Sequence, residues 1–273
     1  MEDALRDRAA ALDRILDSMG SVLVAFSGGV DSACLAVRAH RVLGDRTLAV
    51  TAVSESLSAS QREMVLGLAR RFGFAHRMIR TEELEDPLYV RNAPDRCYRC
   101  KVELFQRLLP LAAKEGLRHV AYGLILDDLR DFQPGRRAAE EAGVRSPLAE
   151  AGFEKAHVRA LAREMDLPNW DAPASPCLSS RIPYGTPVTD AALRQVDSAE
   201  DGLRRLGFRE LRVRHLGAAA RVEIGPRELS RLKEPGVREA VIAAVLAAGY
   251  EDAIVDPQGY RRGRLNEALR VLP

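Results

Sequence analysis

The stretch Val22-Leu-Val-Ala-Phe-Ser-Gly-Gly-Val-Asp-Ser-Ala-Cys-Leu-Ala-Val37 constrains the fold more than any other part of the chain. An apolar, β-rich run over 21–26 ends in Ser27-Gly28-Gly29-Val30-Asp31-Ser32, and a helix-forming run follows at once. A strand, a glycine-rich turn and a helix start, in that order, make a cradle for an anion. The N–H groups of the turn converge there, and the helix dipole favours negative charge. Gly28 and Gly29 let the backbone come close to a phosphate, and Ser27 and Ser32 add hydroxyl groups. Asp31 alone would repel a phosphate, so its expected role is to engage Mg²⁺ or a water network at the phosphates. The loop lacks the lysine of G-x-x-x-x-G-K-[ST], so transfer of a γ-phosphoryl group is not the chemistry expected. The plainer alternative is a strand-to-helix turn in which Asp31 and Ser32 only cap the helix.

The alternation continues through the N-terminal half. Helical spacing of apolar residues covers 3–19, 32–43, 59–72 and 101–115, and β-rich runs cover 48–53, 74–79 and 119–122. Strands alternating with helices predict an α/β fold on a parallel sheet. Ligands of such sheets bind beyond the carboxyl ends of the strands, where Ser27–Ser32, Ser54-Glu55 and Gly123–Asp128 would meet. The expected division is a nucleotide-binding domain over 1–168, a proline-rich active-site loop over 169–188, and a smaller α+β domain over 189–273. The last part reads as a helix (190–206), strands at 210–215 and 220–224, helices at 226–233 and 236–248, and a strand at 252–255. Tyr260–Arg264 reads as a solvated tail or an oligomer contact.

Charge narrows the function. Forty-one basic and 39 acidic residues leave a net charge of +2, which argues against bulk nucleic-acid binding. No basic-then-apolar leader is visible and no apolar run is long enough to cross a bilayer, so a cytoplasmic protein without a membrane partner is expected.

Four cysteines in 273 residues do not make a disulfide scaffold. Cys34 falls on the buried side of the helix after the glycine loop and reads as a core residue. Cys97 and Cys100 form a C-x-x-C that suits half a zinc site, a redox pair, or part of a cluster site. With Cys177 they make three thiols from two segments, a set that can hold a [4Fe–4S] cluster and leave one iron open. Cys177 stands among Pro173, Pro176, Ser179, Ser180 and Arg181. A nearby arginine favours the thiolate, and a thiolate is a nucleophile toward an activated acyl group.

Ser27–Ser32 resembles the pyrophosphate-binding loop of the PP-loop ATP pyrophosphatases. The string Trp170–Gly185 narrows the likeness. Together with Arg96–Lys101, Asp127-Asp128, Phe132–Arg136, Ser146–Leu148, Arg212-Val-Arg214 and Ala220–Glu223, it is similar to the LarE family. Members of that family are ATP-dependent sulfur transferases of nickel-pincer nucleotide synthesis. The resemblance implies a parallel-sheet PP-loop (adenine nucleotide alpha hydrolase-like) domain with a smaller C-terminal α+β domain. It implies that ATP adenylates a carboxylate of a pyridinium dicarboxylate mononucleotide, that pyrophosphate leaves, and that sulfur then displaces AMP. The implied cofactors are ATP, Mg²⁺ and a [4Fe–4S] cluster on Cys97, Cys100 and Cys177; in some members the loop cysteine itself surrenders its sulfur.

Site residues follow from the same resemblance. Ser27, Gly28, Gly29, Asp31, Ser32 and Asp128 are expected at ATP and its metal, with Asp31 and Cys177 catalytic. Arg212 and Arg214 alternate along a strand and so share a face; the resemblance makes them ligands of the substrate phosphate. Arg181 is expected to meet an anionic substrate, and Glu200 and Glu223 either place these arginines, bind a cation, or are ordinary surface carboxylates. Lys101 is either a phosphate contact or a plain helix-start lysine, and Trp170 either stacks on a ring or anchors a core. The expected partners are a nucleotide substrate, sulfide and further copies of the chain, from dimer to hexamer. One departure is plain: Gly123-Leu124-Ile125-Leu126 stands where the family often carries Gly-Thr-Asn. Two rivals are a tRNA thiolation enzyme, disfavoured by the near-neutral charge, and a nucleotide sensor, which would need no nucleophilic cysteine.

Overall fold

Strand β1, Val22–Ala25, is the strand around which the larger sheet is built. The computed structural model describes residues 2–130, 134–261 and 263–264, so Phe132 and Gln133 of the Phe132–Arg136 stretch lie outside the described residues. In chain order the helices are α1 Glu2–Met19, α2 Val30–Leu43, α3 Ala59–Phe72, α4 Pro87–Val90, α5 Arg96–Lys114, α6 Pro134–Glu141, α7 Pro147–Glu150, α8 Lys155–Glu164, α9 Asp190–Arg205 and α10 Val237–Ala247. The remaining strands are β2 Thr47–Val53, β3 Ala75–Arg80, β4 His119–Tyr122, β5 Leu211–Leu216, β6 Ala219–Ile224 and β7 Asp252–Val255. The chain divides into two units. The first is Met1–Ser54, Ser60–Glu83 and Asp95–Ala174; the second is Glu55–Ala59, Leu84–Pro94 and Ser175–Pro273.

The first unit holds a four-stranded, all-parallel sheet in the order β3-β2-β1-β4. Successive residues of β1 face opposite sides. Val22 and Val24 join a core with α1, α2 and α8, whereas Leu23 and Ala25 join one with α5 and α6. A parallel sheet covered on both faces needs strands that are apolar throughout, and every β1 residue is buried. Helix α2 is apolar on nearly all sides (Ala33, Cys34, Leu35, Ala36, Val37 and Ala39 are buried), which marks it as an internal helix. The strand order reverses at β1: the chain goes on to β2 on one side, and β4 arrives on the other. The loops that leave β1 and β4 therefore border one crevice, the usual ligand position of such sheets.

The second unit holds a three-stranded mixed sheet, β5-β6-β7, with β5 antiparallel and β7 parallel to β6. Leu211, Val213, Val222 and Ile224 face Leu203 of α9 and Val241 and Val245 of α10. Arg212, Arg214 and Glu223 occupy the other face by strand alternation. Within the stretch read as a solvated tail or an oligomer contact, Tyr260 lies against the Arg212 guanidinium, and Arg264 pairs with Asp256 and Glu223. The expected helix at 226–233 shortens to a 3₁₀ turn, Leu229–Lys233, between Pro226 and Pro235.

Candidate functional site

The loop after β1 is shaped by its glycines and braced from within. Gly28 has φ +77°, and a Cβ there would come within 2.8 Å of Val65 Cγ1 on α3. Gly29 caps α2, whose first turn carries Asp31. The Ser32 hydroxyl accepts from the Ser27 N–H at 3.2 Å and donates to the Gly29 carbonyl at 3.1 Å. Ser32, expected to donate to phosphate, is therefore a loop brace with its proton engaged; the Ser27 residue beside it is exposed.

Gly123 closes the other lip. A Cβ at Gly123 would lie 2.8 Å from the Ser32 nitrogen and 3.0 Å from the Asp31 carbonyl carbon, so no larger residue fits while α2 starts where it does. The departure from the family pattern has a packing reason, since Leu124 and Ile125 are both buried. Asp127 and Asp128, which follow, cap backbone: Asp128 accepts from the Ile125 N–H at 3.3 Å, and Asp127 from the Lys155 N–H at 2.6 Å.

Lys155 was not singled out by its sequence context, yet it reaches the centre of the loop. Its Nζ donates to both Asp31 oxygens, at 2.7 and 2.5 Å. Asp31 is thus an ion-pair partner here rather than a carboxylate open to a metal. Burial pushes the Asp31 carboxyl up, against the pull of Lys155. The available signal was helical spacing at Val158, Leu161, Ala162 and Met165, which places Lys155 at a helix start. A second contact comes from the turn beyond α8: Asn169 Nδ2 donates to the Gly28 carbonyl at 2.8 Å. Behind the loop, Thr51 donates to the Phe26 carbonyl at 2.6 Å, and His76 Nε2 stands 2.9 Å from the same hydroxyl.

The cysteines divide by environment. Cys34 is fully buried, and burial pushes its thiol up to about 12, so it is inert core. Helix α5 begins five residues before the helix expected from the sequence, so Cys97 and Cys100 stand three apart in its first turn, on one side of it. Cys97 is exposed, and Cys100 Sγ lies 3.7 Å from Glu83 Oε1. Lys101 lies over the Phe105 ring of its own helix. Trp170 is not a core anchor: it is 37% exposed, with Arg163 over its face.

Cys177 belongs to the second unit, just before the 3₁₀ turn Leu178–Arg181. Arg181, expected at an anionic substrate, is turned inward and shapes that loop. It is 1% exposed, its Nε and Nη2 bind the two oxygens of Glu200 at 2.8 and 3.0 Å, and its Nη1 donates to the carbonyls of Pro176 and Cys177. Burial works against this charge, and Glu200 outweighs it, holding the guanidinium above its usual value; Glu200 is correspondingly held low by Arg181 against its own burial. Asn92, at φ +56° and fully buried, holds the far side of the loop through the carbonyls of Pro183 and Thr186, both at 2.8 Å. Glu200 and Glu223 are arginine partners and not surface carboxylates: Arg204 also binds Glu200, and Arg214 and Arg264 bind Glu223. Arg212 is 4% exposed, and burial, then Arg181, push its guanidinium down to about 10. Among the described residues, the Arg181, Arg204, Arg214 and Arg264 guanidiniums are gathered around the carboxylates of Glu200, Glu223 and Asp256.

Among the described residues no group of three or more His, Cys, Asp or Glu side chains is gathered as a metal site, and no helix is long and apolar enough to cross a membrane.

A parallel α/β sheet with a Ser-Gly-Gly-x-Asp-Ser loop at its switch point defines a PP-loop-like protein. A component of the glutamine-hydrolyzing GMP synthase of Archaeoglobus fulgidus is 27% identical over 186 residues, 64% of this chain and 57% of that protein. No protein-family model matches the chain. An uncharacterized protein of Synechocystis is 40% identical over 265 residues, 97% of this chain and 99% of that one. The pyridinium-3,5-bisthiocarboxylic acid mononucleotide synthase of Lactiplantibacillus plantarum is 37% identical over 266 residues, 97% of this chain and 96% of the synthase. The chain belongs to the LarE family.

Proposed function

We propose that this chain is an ATP-dependent sulfur transferase acting on pyridinium-3,5-biscarboxylic acid mononucleotide in nickel-pincer cofactor synthesis. The observation that carries the reading is full-length similarity to a synthase of the bisthiocarboxylic mononucleotide, joined to an intact glycine loop at the strand end. A substrate carboxylate oxygen attacks the α-phosphorus of ATP, the bond to the β-phosphate oxygen breaks, and pyrophosphate leaves. A sulfur nucleophile then attacks the acyl carbon, and AMP leaves with the C–O bond electrons. The loop of Ser27, Gly28 and Gly29 binds the pyrophosphate portion. Lys155 swings from Asp31 to the phosphates, and Asp31 with Asp128 is freed to hold Mg²⁺, which would neutralise the departing pyrophosphate. Arg212 and Arg214 receive the substrate phosphate, with Arg214 held in place by Glu223 and by the Ser180 carbonyl.

Cys97, Cys100 and Cys177 are the thiolates proposed to hold a [4Fe–4S] cluster. The fit rests on donor chemistry: Cys97 and Cys100 share a helix side, and Cys177 lies on a loop pinned by Arg181 and Asn92. Bound by three thiolates, such a cluster leaves one iron for an added sulfide. The test has two readouts. With sulfide supplied, pyrophosphate and AMP should form in equal amounts only when ATP and the dicarboxylate mononucleotide are both present, and Asp31→Ala should abolish both; release of ADP instead would overturn the reading. Anaerobic reconstitution should give about four irons per chain, lost in Cys97→Ala. Absence of specific iron would assign the transferred sulfur to Cys177 itself.

A further inference from the structure

We infer that Asn169 is the positioning residue that fixes the Gly28–Gly29 peptide with its N–H toward the phosphates. This rests on the nucleotide-loop reading above and goes beyond it, because it concerns what keeps that loop binding-competent.

A trans peptide group is planar, and its C=O and N–H point in opposite directions. Asn169 Nδ2 holds the Gly28 carbonyl at 2.8 Å from the buried side. That single hydrogen bond therefore turns the Gly29 N–H the other way, toward the side on which Gly29 is exposed. The lock matters because this peptide joins two glycines. Gly28 sits at φ +77°, and without a Cβ on either side the plane can turn over at little steric cost. A turned peptide would present a carbonyl oxygen to a phosphate in place of a donor. The braces within the loop do not prevent this, since Ser32 holds the Ser27 N–H and the Gly29 carbonyl but neither group of the 28–29 peptide.

A second observation separates Asn169 from a packing residue. It is 3% exposed, and its Oδ1 is buried with no hydrogen-bond partner. An orphaned buried acceptor costs about 1–3 kcal/mol, and an apolar side chain would avoid that cost. The donor is the part of this amide that the fold uses. The turn that presents it is itself fixed: Leu167 N–H binds the Ala162 carbonyl at 2.9 Å, Ala172 N–H binds the Asn169 carbonyl at 3.1 Å, and Leu167 is 1% exposed. The same helix and turn thus hold the loop twice, through Lys155 on Asp31 and Asn169 on Gly28.

The test compares Asn169→Ala and the near-isosteric, uncharged Asn169→Leu with the wild type. Binding of inorganic pyrophosphate and of adenosine is titrated, with selective ¹⁵N-glycine labelling to follow the Gly29 amide. In the wild type pyrophosphate should move the Gly29 resonance. Both variants should bind pyrophosphate roughly 10-fold or more weakly, as expected for the loss of a charge-assisted donor of about 1.5–3 kcal/mol. Their adenosine binding should stay within about twofold, because adenosine has no phosphate to meet the loop. Should Asn169→Ala fail to fold, Asn169→Leu, which keeps the volume without adding a charge, carries the test. Unchanged pyrophosphate binding in a folded variant, or equal loss of adenosine and pyrophosphate, overturns the inference alone. A wild type that binds no pyrophosphate removes the nucleotide-loop reading and this inference with it.

Discussion

Removing the Glu200 carboxylate is the perturbation whose size the structure defines best. Glu200 is fully buried and accepts from Arg181 at 2.8 and 3.0 Å, from Arg204 at 2.9 Å and from the Val213 N–H at 3.1 Å. Glu200→Ala leaves the buried Arg181 cation without its counter-charge and a strand N–H without an acceptor. Arg204 is partly exposed and can turn to water, so it adds little. Breaking such a buried pair costs about 3–5 kcal/mol, or roughly 12–20 °C in the melting midpoint of a unit this size. Acid should act in the same direction. The folded Glu200 carboxyl is held below 4.5, so its contribution is full above the unfolded value and is lost as pH falls through the folded one. Glu200→Gln should therefore flatten part of the acid limb of stability. The assay is urea denaturation of Glu200→Ala, Arg181→Met and the double variant, at pH 7.5 and pH 4. The coupling between the two sites should exceed about 2 kcal/mol. Additivity within about 0.5 kcal/mol would refute the view that this pair holds the Cys177 loop.

Further predictions concern the nucleotide loop and the thiols. Lys155→Ala should weaken ATP binding by roughly 10-fold or more, read by calorimetry, since a cation at the phosphates is lost; unchanged affinity would remove Lys155 from the site. Gly123→Ala should lower stability by about 1–3 kcal/mol, because its methyl would overlap the start of α2; a melting curve that matches the wild type would contradict the packing described. His76 is held below 6.5 by burial, so the unfolded chain takes up this proton first and stability falls as pH drops below 6.5. His76→Gln should reduce that slope in denaturation at pH 7.5 and 5.5. Native alkylation followed by mass spectrometry should label Cys97 and leave Cys34 untouched, as their exposure and the raised Cys34 thiol require.

Local rules acting along the chain made much of the protein legible before its structure. Apolar runs at 21–26, 48–53 and 119–122 became β1, β2 and β4 because a buried parallel strand needs nothing but apolar residues. Gly28 was legible because the turn it makes needs a positive φ, and Cys34 because helical spacing puts it inside. What the tertiary structure alone decided is which polar groups meet. Arg181 looked free for a substrate, but Glu200, nineteen residues on, holds its charge. Asp31 looked open to a metal, but Lys155, 124 residues away, grips it. Hydrophobic periodicity reports which side of an element is buried and carries no information about the partner of a charged tip. A charge in a low-dielectric interior is set by whichever distant group the fold brings beside it, and only the closed chain brings Lys155 and Asn169 to the glycine loop.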